Sequence, residues 1–299
     1  MTEEDRVNAI NLEVIKMKIG LIGNDTTHVA IFAHMLHDVT NSYYHPEARF
    51  VGYIRSCSED MPISKDRARY FESLLEAFHI PCYEDIERLN EKVDAWMIVT
   101  IDGSNHLDWF EKVVVFQKPV YIDKPMTISL TSFDRMMLLA DTCGTPVFSS
   151  SGLRFSDILK GVNKEEVNSL YAFGPLPFQD KMPGYYWYGI HTLEWIDEVF
   201  NAEVESFTRK KYEDSEILLM QFEDGRQAVF RGEYKWNDKF GGVIHYGEEP
   251  LILQFWKMDK PYYASLLEHI IAFFQTGKPP VKPTRTRRIL QWIEEINKL

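Results

Sequence analysis

The chain has 299 residues, of which 45% are hydrophobic, 14% aromatic and 26% charged, and 33 basic against 45 acidic side chains leave a net charge of −12. An apolar share of this size supports a globular core and excludes disordered and collagen-like classes. The acidic balance repels phosphodiester backbones, so nucleic acid is excluded as a main partner and a small-molecule substrate is expected.

MKIGLIG, residues 17–23, is a short apolar run ending in glycine and predicts a buried strand. Asp25 or Thr26 then caps a helix carrying Val29, Ile31, Phe32, Met35 and Leu36. ARFVGYIR (48–55) predicts a second strand, and residues 64–79 a helix with Ala68, Phe71, Leu74, Leu75 and Phe78 at helical spacing. VDAWMIVT (93–100) is nearly continuous in apolar residues, as a strand covered on both faces must be. A helix over 105–116, a strand at PVYID (119–123), a helix over about 129–143 and a strand at 146–149 follow. Strand–helix alternation through residue 150 is the pattern of βαβ units on a parallel sheet.

Beyond a small polar run near Ser149–Gly152 the texture changes. Residues 185–200 predict one helix around His191. Alternating runs between 202 and 257, separated by turns such as Glu223-Asp224-Gly225 and Gly241-Gly242, predict an antiparallel sheet. Helices over 261–276 and 284–297 close the chain. The expected fold is α/β. A Rossmann-type doubly wound parallel sheet occupies residues 1–150, and an α+β domain with a mostly antiparallel sheet occupies 151–299.

Localisation follows from what is missing. No run of about 18 apolar residues suits a membrane span, and the acidic opening MTEEDRVNAINLEV has neither the basic nor the apolar region of a signal peptide. Cys57, Cys82 and Cys143 are odd in number and widely spaced, which fits neither a disulfide framework nor a metal knuckle. A cytoplasmic protein with reduced thiols, and no membrane partner, is expected.

A glycine-ended strand running into a helix is where a dinucleotide fold holds its pyrophosphate. From Gly23 the chain reads Gly23-Asn24-Asp25-Thr26-Thr27-His28, so only the first glycine of GxGxxG is present. Asp25 holds the second position and brings bulk and negative charge toward the phosphate. A plain strand-to-helix turn accounts for the segment equally well. For cofactor binding, the Thr26 and Thr27 hydroxyls, the helix N-terminus and His28 remain as phosphate partners. The second strand ends in Tyr53-Ile54-Arg55-Ser56. Arg55 suits a ribose 2′-phosphate rather than free hydroxyls and slightly favours NADP over NAD, against the alternative of a solvent-facing arginine.

VDAWMIVT, the following Gly103-Ser104-Asn105-His106, and PVYIDKP together resemble the Gfo/Idh/MocA family of NAD(P)-dependent sugar and cyclitol oxidoreductases. The family's Glu-Lys-Pro signature reads Asp123-Lys124-Pro125 here, its histidine helix reads Trp187-Tyr188-Gly189-Ile190-His191, and its C-terminus is matched by Phe273-Phe274-Gln275-Thr276-Gly277-Lys278-Pro279-Pro280 and the helix after it. The resemblance implies a Rossmann domain joined to a domain with an open antiparallel sheet, and homo-oligomers formed through the outer face of that sheet. It also implies cofactor contacts at Thr100, His106, Asp123, Lys124 and Pro125, with Lys124 beside the reacting hydroxyl and His191 as the general acid/base. Trp187 stands where the family keeps an acid, four residues before the histidine; Asp180, Tyr188 and Glu194 are the polar side chains nearby in sequence.

Tyr185, Trp187 and Tyr188, in a block of four consecutive rings, are candidates to line a sugar site, with core packing as the competing fate of each. His34, His37 and Asp38 suit a helix surface better than a metal site, since no third ligand is evident. Lys278, Lys282, Arg285, Arg287 and Arg288 read as a solvated basic patch. The leading expectation is an NAD(P)-dependent oxidoreductase of a sugar-like or polyol substrate. The lost glycines and Trp187 make a binding or regulatory relative the alternative, and a lyase or hydrolase using the same cleft comes third.

Overall fold

A computed structural model describes residues 16–247 and 249–299. The acidic opening segment lies outside the described residues. Two compact units are present: one takes in the chain through Asp123, Arg135–Phe148 and Leu267–Pro280, the other Lys124–Asp134, Ser149–Leu266 and Val281–Leu299.

The first unit is built on six parallel strands: β1 (Met17–Ile22), β2 (Ala48–Ile54), β3 (Cys82–Tyr83), β4 (Ala95–Ile98), β5 (Val120–Ile122) and β6 (Val147–Ser149), in the order β3-β2-β1-β4-β5-β6. Helices α1 (Thr27–His37), α2 (Pro62–Ala77), α3 (Ile86–Asn90), α4 (His106–Val113) and α5 (Leu130–Cys143) connect them. This is the Rossmann strand order, and it reverses direction between β1 and β4, where such folds open a ligand crevice beyond the strand ends. The central strands are apolar throughout because both faces are covered: Ile19, Leu21, Ile22 and all of Ala95–Ile98 are buried.

The second unit carries a mixed sheet of β7 (Val167–Pro175), β8 (Val204–Lys211), β9 (Ser215–Phe222), β10 (Gln227–Glu233), β11 (Gly241–Tyr246) and β12 (Leu251–Gln254), in the order β12-β11-β7-β10-β9-β8. Four of its pairs are antiparallel and one, β7 with β10, is parallel. Strand β7, which the sequence reading passes over, is the central one. Helix α6 (Gly189–Phe200) packs on β7 and β10, and α7 (Tyr262–Thr276) and α8 (Pro283–Lys298) complete the chain. Leu170, Ala172, Leu218, Met220, Phe230 and Ile244 fill the helix-covered face. On the opposite face Ile252, Val243, Tyr171, Val229 and Leu219 stand directly opposed in one row across five strands, and none of them is buried.

The single helix expected over 185–200 is a 3₁₀ turn, Gly184–Tyr186, followed by α6 from Gly189. Tyr185 and Tyr186 turn into the core from the 3₁₀ segment. Gly242 is needed for packing: a Cβ there would meet the Tyr171 carbonyl at 2.4 Å and the Trp195 ring of α6 at 2.9 Å. No described helix is long and apolar enough to cross a membrane.

Candidate active site

In the first unit the site elements gather at the carboxyl ends of β1, β2, β4 and β5. Gly23 follows β1 with φ +96°, and a Cβ on it would lie 2.7 Å from Thr100 Cγ2 and 2.8 Å from the Thr100 backbone nitrogen. Only glycine serves there, because the turn needs a left-handed backbone and β4's end approaches it closely. Thr26 is the N-cap of α1, but its hydroxyl makes no capping bond and is buried without a partner. The first turn of α1 holds no acidic residue. A helix N-terminus with an unused buried hydroxyl fits a phosphate. Thr27 is exposed.

The expected clash at Asp25 does not occur, because its carboxylate faces inward. The Ser64 hydroxyl of α2 donates to it at 2.6 Å and the Ile101 amide at 2.9 Å. Burial pushes the Asp25 carboxyl up to about 7, against the hydrogen bonds from Ser64 and Ile101, with Asp102 adding like charge. Ser64 Oγ also accepts from the Ser58 amide, and the Ser58 hydroxyl donates to Asp102 at 2.8 Å. One chain of polar contacts thus ties together the loops after β1, β2 and β4.

His28 does not stand free as a phosphate partner. Its Nδ1 lies 2.6 Å from Asp123 Oδ2, and both side chains are buried. The pair joins α1 to the end of β5. Thr100 donates to Asn105 Oδ1 at 2.6 Å, and the buried His106 ring is bonded to the Thr100 carbonyl at 2.9 Å. Both side chains shape the turn after β4.

Beside β2 a cavity of about 480 Å³ is lined by Asn24, Arg55, Lys65, Arg69 and Glu72, with Trp109 on its wall. Arg55 is half-exposed and ion-paired to Glu72 and Glu84, and Lys65 is paired to Glu59 at 2.6 Å. Arg55 thus faces solvent in part while two glutamates share its guanidinium.

The second unit begins at Lys124, joined to Pro125 by a cis peptide bond. His191, in the first turn of α6, is buried, and its Nδ1 is hydrogen-bonded to Ser151 Oγ at 2.7 Å. The Ser151 oxygen also accepts from the Leu153 amide at 3.2 Å. The rings of Tyr188, 5.7 Å away, and Phe240, 5.5 Å away, hold the imidazole between them. Trp187 is buried edge-on to Tyr188. Tyr185 is corrected from a substrate candidate to a core residue: it is fully buried and its hydroxyl donates to Glu216 at 2.5 Å.

None of the three polar side chains near Trp187 partners His191 Nδ1. Asp180 is exposed, Tyr188 contributes its ring face, and Glu194 is bound by Arg154 and by the Ser150 hydroxyl. Arg154 is itself buried among Glu194, Asp197 and Glu198. Burial pushes the Asp197 carboxyl up, but Arg154, Arg285 and Arg288 outweigh it and hold the group below its ordinary range. The supposed basic patch is therefore mostly committed: Arg285 and Arg288 pair with Asp197, and Arg287 with Asp134. Among the described residues no cluster of histidine, cysteine and acid suits a metal ion; His37 instead accepts from the Phe50 amide and His34 lies 3.6 Å from Asp38.

Residues 46–150 match the Gfo/Idh/MocA group, described as an oxidoreductase family with an NAD-binding Rossmann fold. Over this segment the chain is similar to that family. No curated protein matches the sequence. Among solved structures, UDP-N-acetylglucosamine 3-dehydrogenase from Acidithiobacillus ferrooxidans is 16% identical, with 94% of this chain and 97% of that one covered and a TM-score of 0.70. The scyllo-inositol dehydrogenase of Lactobacillus casei is 12% identical, with 95% and 96% covered and a TM-score of 0.73. GenD2 from gentamicin A biosynthesis, solved in complex with NAD, is 12% identical, with 94% and 93% covered and a TM-score of 0.72. At these identities the likeness is one of fold, and it extends over the whole described chain rather than the Rossmann segment alone.

Ser151, Arg154, Ser64 and Asn105 escape the sequence reading. Each is ordinary in its local sequence, and its partner lies elsewhere along the chain. Asn105 is the exception, in the Gly103–His106 segment and five residues from its partner Thr100.

Proposed function

We propose that the protein is an NAD(P)-dependent oxidoreductase acting on a CH–OH group of a sugar-like or polyol substrate, or on the matching ketone. The observation that carries this is the turn after β1. Gly23 packs against Thr100 at φ +96° and the unpartnered Thr26 hydroxyl sits at the start of α1, on a sheet whose segment matches an NAD-binding family. The solved relatives named as sugar-nucleotide and inositol dehydrogenases supply the substrate class.

Gly23 and Thr26 would hold the pyrophosphate, with Asp25 and His28 bracing the loop through their own partners. The cavity beside β2 would take the adenosine end. Arg55, Lys65 and Arg69 outnumber Glu59 and Glu72 around that cavity and leave it net positive, which favours NADP modestly. A bound nicotinamide would supply the acceptor or donor of the hydride at the carbinol carbon. Lys124 Nζ would take or return the hydroxyl proton, and His191 would hydrogen-bond the same oxygen. Trp187 and Tyr188 offer ring surface to the apolar face of a sugar.

The half-exposed row from Ile252 to Leu219 supports self-association through the outer sheet face, which light scattering on the eluted protein tests. Three free thiols fit a reducing, cytoplasmic compartment.

Fluorescence titration with NADH and NADPH tests the cofactor, and a panel of polyols and sugars with each oxidised cofactor tests turnover. The expected result is saturable binding, turnover with at least one substrate, and a His191→Ala variant that loses turnover far more than cofactor affinity. No binding of either cofactor at millimolar concentration overturns the proposal. Trp187 in place of an acid favours a second reading, a relative that binds without reacting; binding with no turnover across the panel selects it.

A further inference from the structure

The bond between Ser151 and His191 has a direction, and the direction fixes what the imidazole offers a substrate. Ser151 is buried, so its hydroxyl must find its partners inside the protein. The Leu153 amide fills one of the oxygen's acceptor positions at 3.2 Å. The hydroxyl proton then needs an acceptor, and among the described residues the one within reach of it is His191 Nδ1, 2.7 Å away. The reverse arrangement, Nδ1–H donating to Ser151, would aim two N–H groups at one oxygen and leave a buried hydroxyl proton with nothing to bond.

We infer that Ser151 is a positioning residue that holds His191 in the Nε2–H tautomer, so that the histidine serves the reacting oxygen as a hydrogen-bond donor and proton removal falls to Lys124. The geometry is the opposite of a carboxylate–histidine pair. A carboxylate on Nδ1 accepts that nitrogen's proton and leaves the Nε2 lone pair free to act as a base. The serine donates to Nδ1, and the proton moves to the other side of the ring. A neutral Nε2–H stabilises negative charge growing on a carbonyl oxygen during reduction, or the alkoxide during oxidation, without itself gaining or losing a proton. Trp187, which holds the family's acid position four residues before His191, is consistent with this division of labour, since a donor histidine has no use for a carboxylate behind it. Tyr188 lies tilted and Phe240 edge-on beside the ring, at centroid distances of 5.7 and 5.5 Å.

The kinetic half of this inference rests on the oxidoreductase reading; the tautomer itself does not. The test is nitrogen NMR of the full-length protein labelled with ¹⁵N-histidine, with His191→Gln to identify the His191 signals. The expected spectrum has Nδ1 unprotonated and Nε2 protonated in the wild type, and a mixture of tautomers in Ser151→Ala. A wild-type ring protonated on Nδ1 overturns the inference, whatever the enzyme does. In steady state, Ser151→Ala should lower kcat about tenfold while leaving cofactor KM within about twofold, and Ser151→Thr should restore most of it, because only the hydroxyl matters. Equal losses in the alanine and threonine variants, or a loss confined to KM, assign Ser151 a packing role and overturn the kinetic half. If no substrate turns over, the oxidoreductase reading fails and the NMR result still decides the tautomer.

Discussion

Two buried aspartates, one in each unit, show what surroundings do to the same side chain. Asp25, after β1, is met only by neutral donors, the Ser64 hydroxyl and the Ile101 amide, and burial pushes its carboxyl up to about 7. Asp197, on α6, is equally buried but faces the guanidinium groups of Arg154, Arg285 and Arg288, which hold it below its ordinary range. Burial sets the size of the penalty on a charge, and the partners decide whether the charge survives it. The cofactor-type turn thus keeps an acid near neutrality, while the helix carrying His191 is anchored by ions that remain ionised.

The largest expected effect comes from breaking the charged cluster. Arg154→Ala strands Glu194, Asp197 and Glu198 in a buried place with fewer cations, and a loss of about 3–5 kcal/mol is expected. Urea denaturation measures it; a loss under about 1 kcal/mol would mean that water enters and screens the cluster.

Next is the pH response, which has opposite signs at the two acids. Asp25 has a folded value raised above the ordinary 3.8, so its contribution is full below about 4 and is lost as pH rises through about 7. Asp197 has a lowered value, so its contribution is present above the ordinary range and is lost only as pH falls through that lowered value. Asp25→Asn should therefore gain stability relative to wild type between pH 4 and 7, by up to a few kcal/mol at about 1.4 kcal/mol per pKa unit. Melting curves across that range check it, and parallel curves for the two proteins would contradict the assignment.

Gly23→Ala should cost about 1–3 kcal/mol, since a Cβ at φ +96° also meets Thr100. If the turn holds a dinucleotide, the same variant weakens cofactor binding; calorimetry with NADPH separates that from the stability loss. The smallest effect is at Arg55, half-exposed and already shared between two glutamates. Arg55→Ala should shift the ratio of NADPH to NADH affinity by less than about tenfold, on the scale of about 1 kcal/mol for an exposed ion pair. An unchanged ratio removes Arg55 from cofactor choice.

Much of the fold is legible in the sequence because its signals are local. Continuous apolar runs mark β1 and β4, helical spacing marks α2, and the parallel sheet follows from their alternation. Strand β7 is the exception: VNSLYAFGP mixes polar and small residues, and its central place depends on pairing with β10 and β11 far along the chain. The candidate site divides in the same way. Gly23, Lys124-Pro125 and His191 stand out from their own neighbours, whereas the partners that define their environment do not. Ser64 reaches Asp25 across 39 residues, Ile101 across 76, and Ser151 reaches His191 across 40. A spacing rule sees contacts within a turn or a hairpin; it has no means of seeing these. The block at 185–188 shows the same limit. Four rings in a row announce aromatic surface, but a change from 3₁₀ turn to α-helix decides which of them face inward.

The placement of β7 also bears on how the chain is made. It leaves the ribosome before either of its neighbours, since β10 begins at Gln227 and β11 at Gly241. Until then both of its hydrogen-bonding edges are open, and the side chains of Leu170 and Ala172, later buried, have nothing to pack against. A strand with both edges unpaired is the kind of segment that captures other chains. Helix α6 packs on its inner face and precedes both pairing strands in the chain, so the helix that carries His191 is also the cover available to β7 before its neighbours are made.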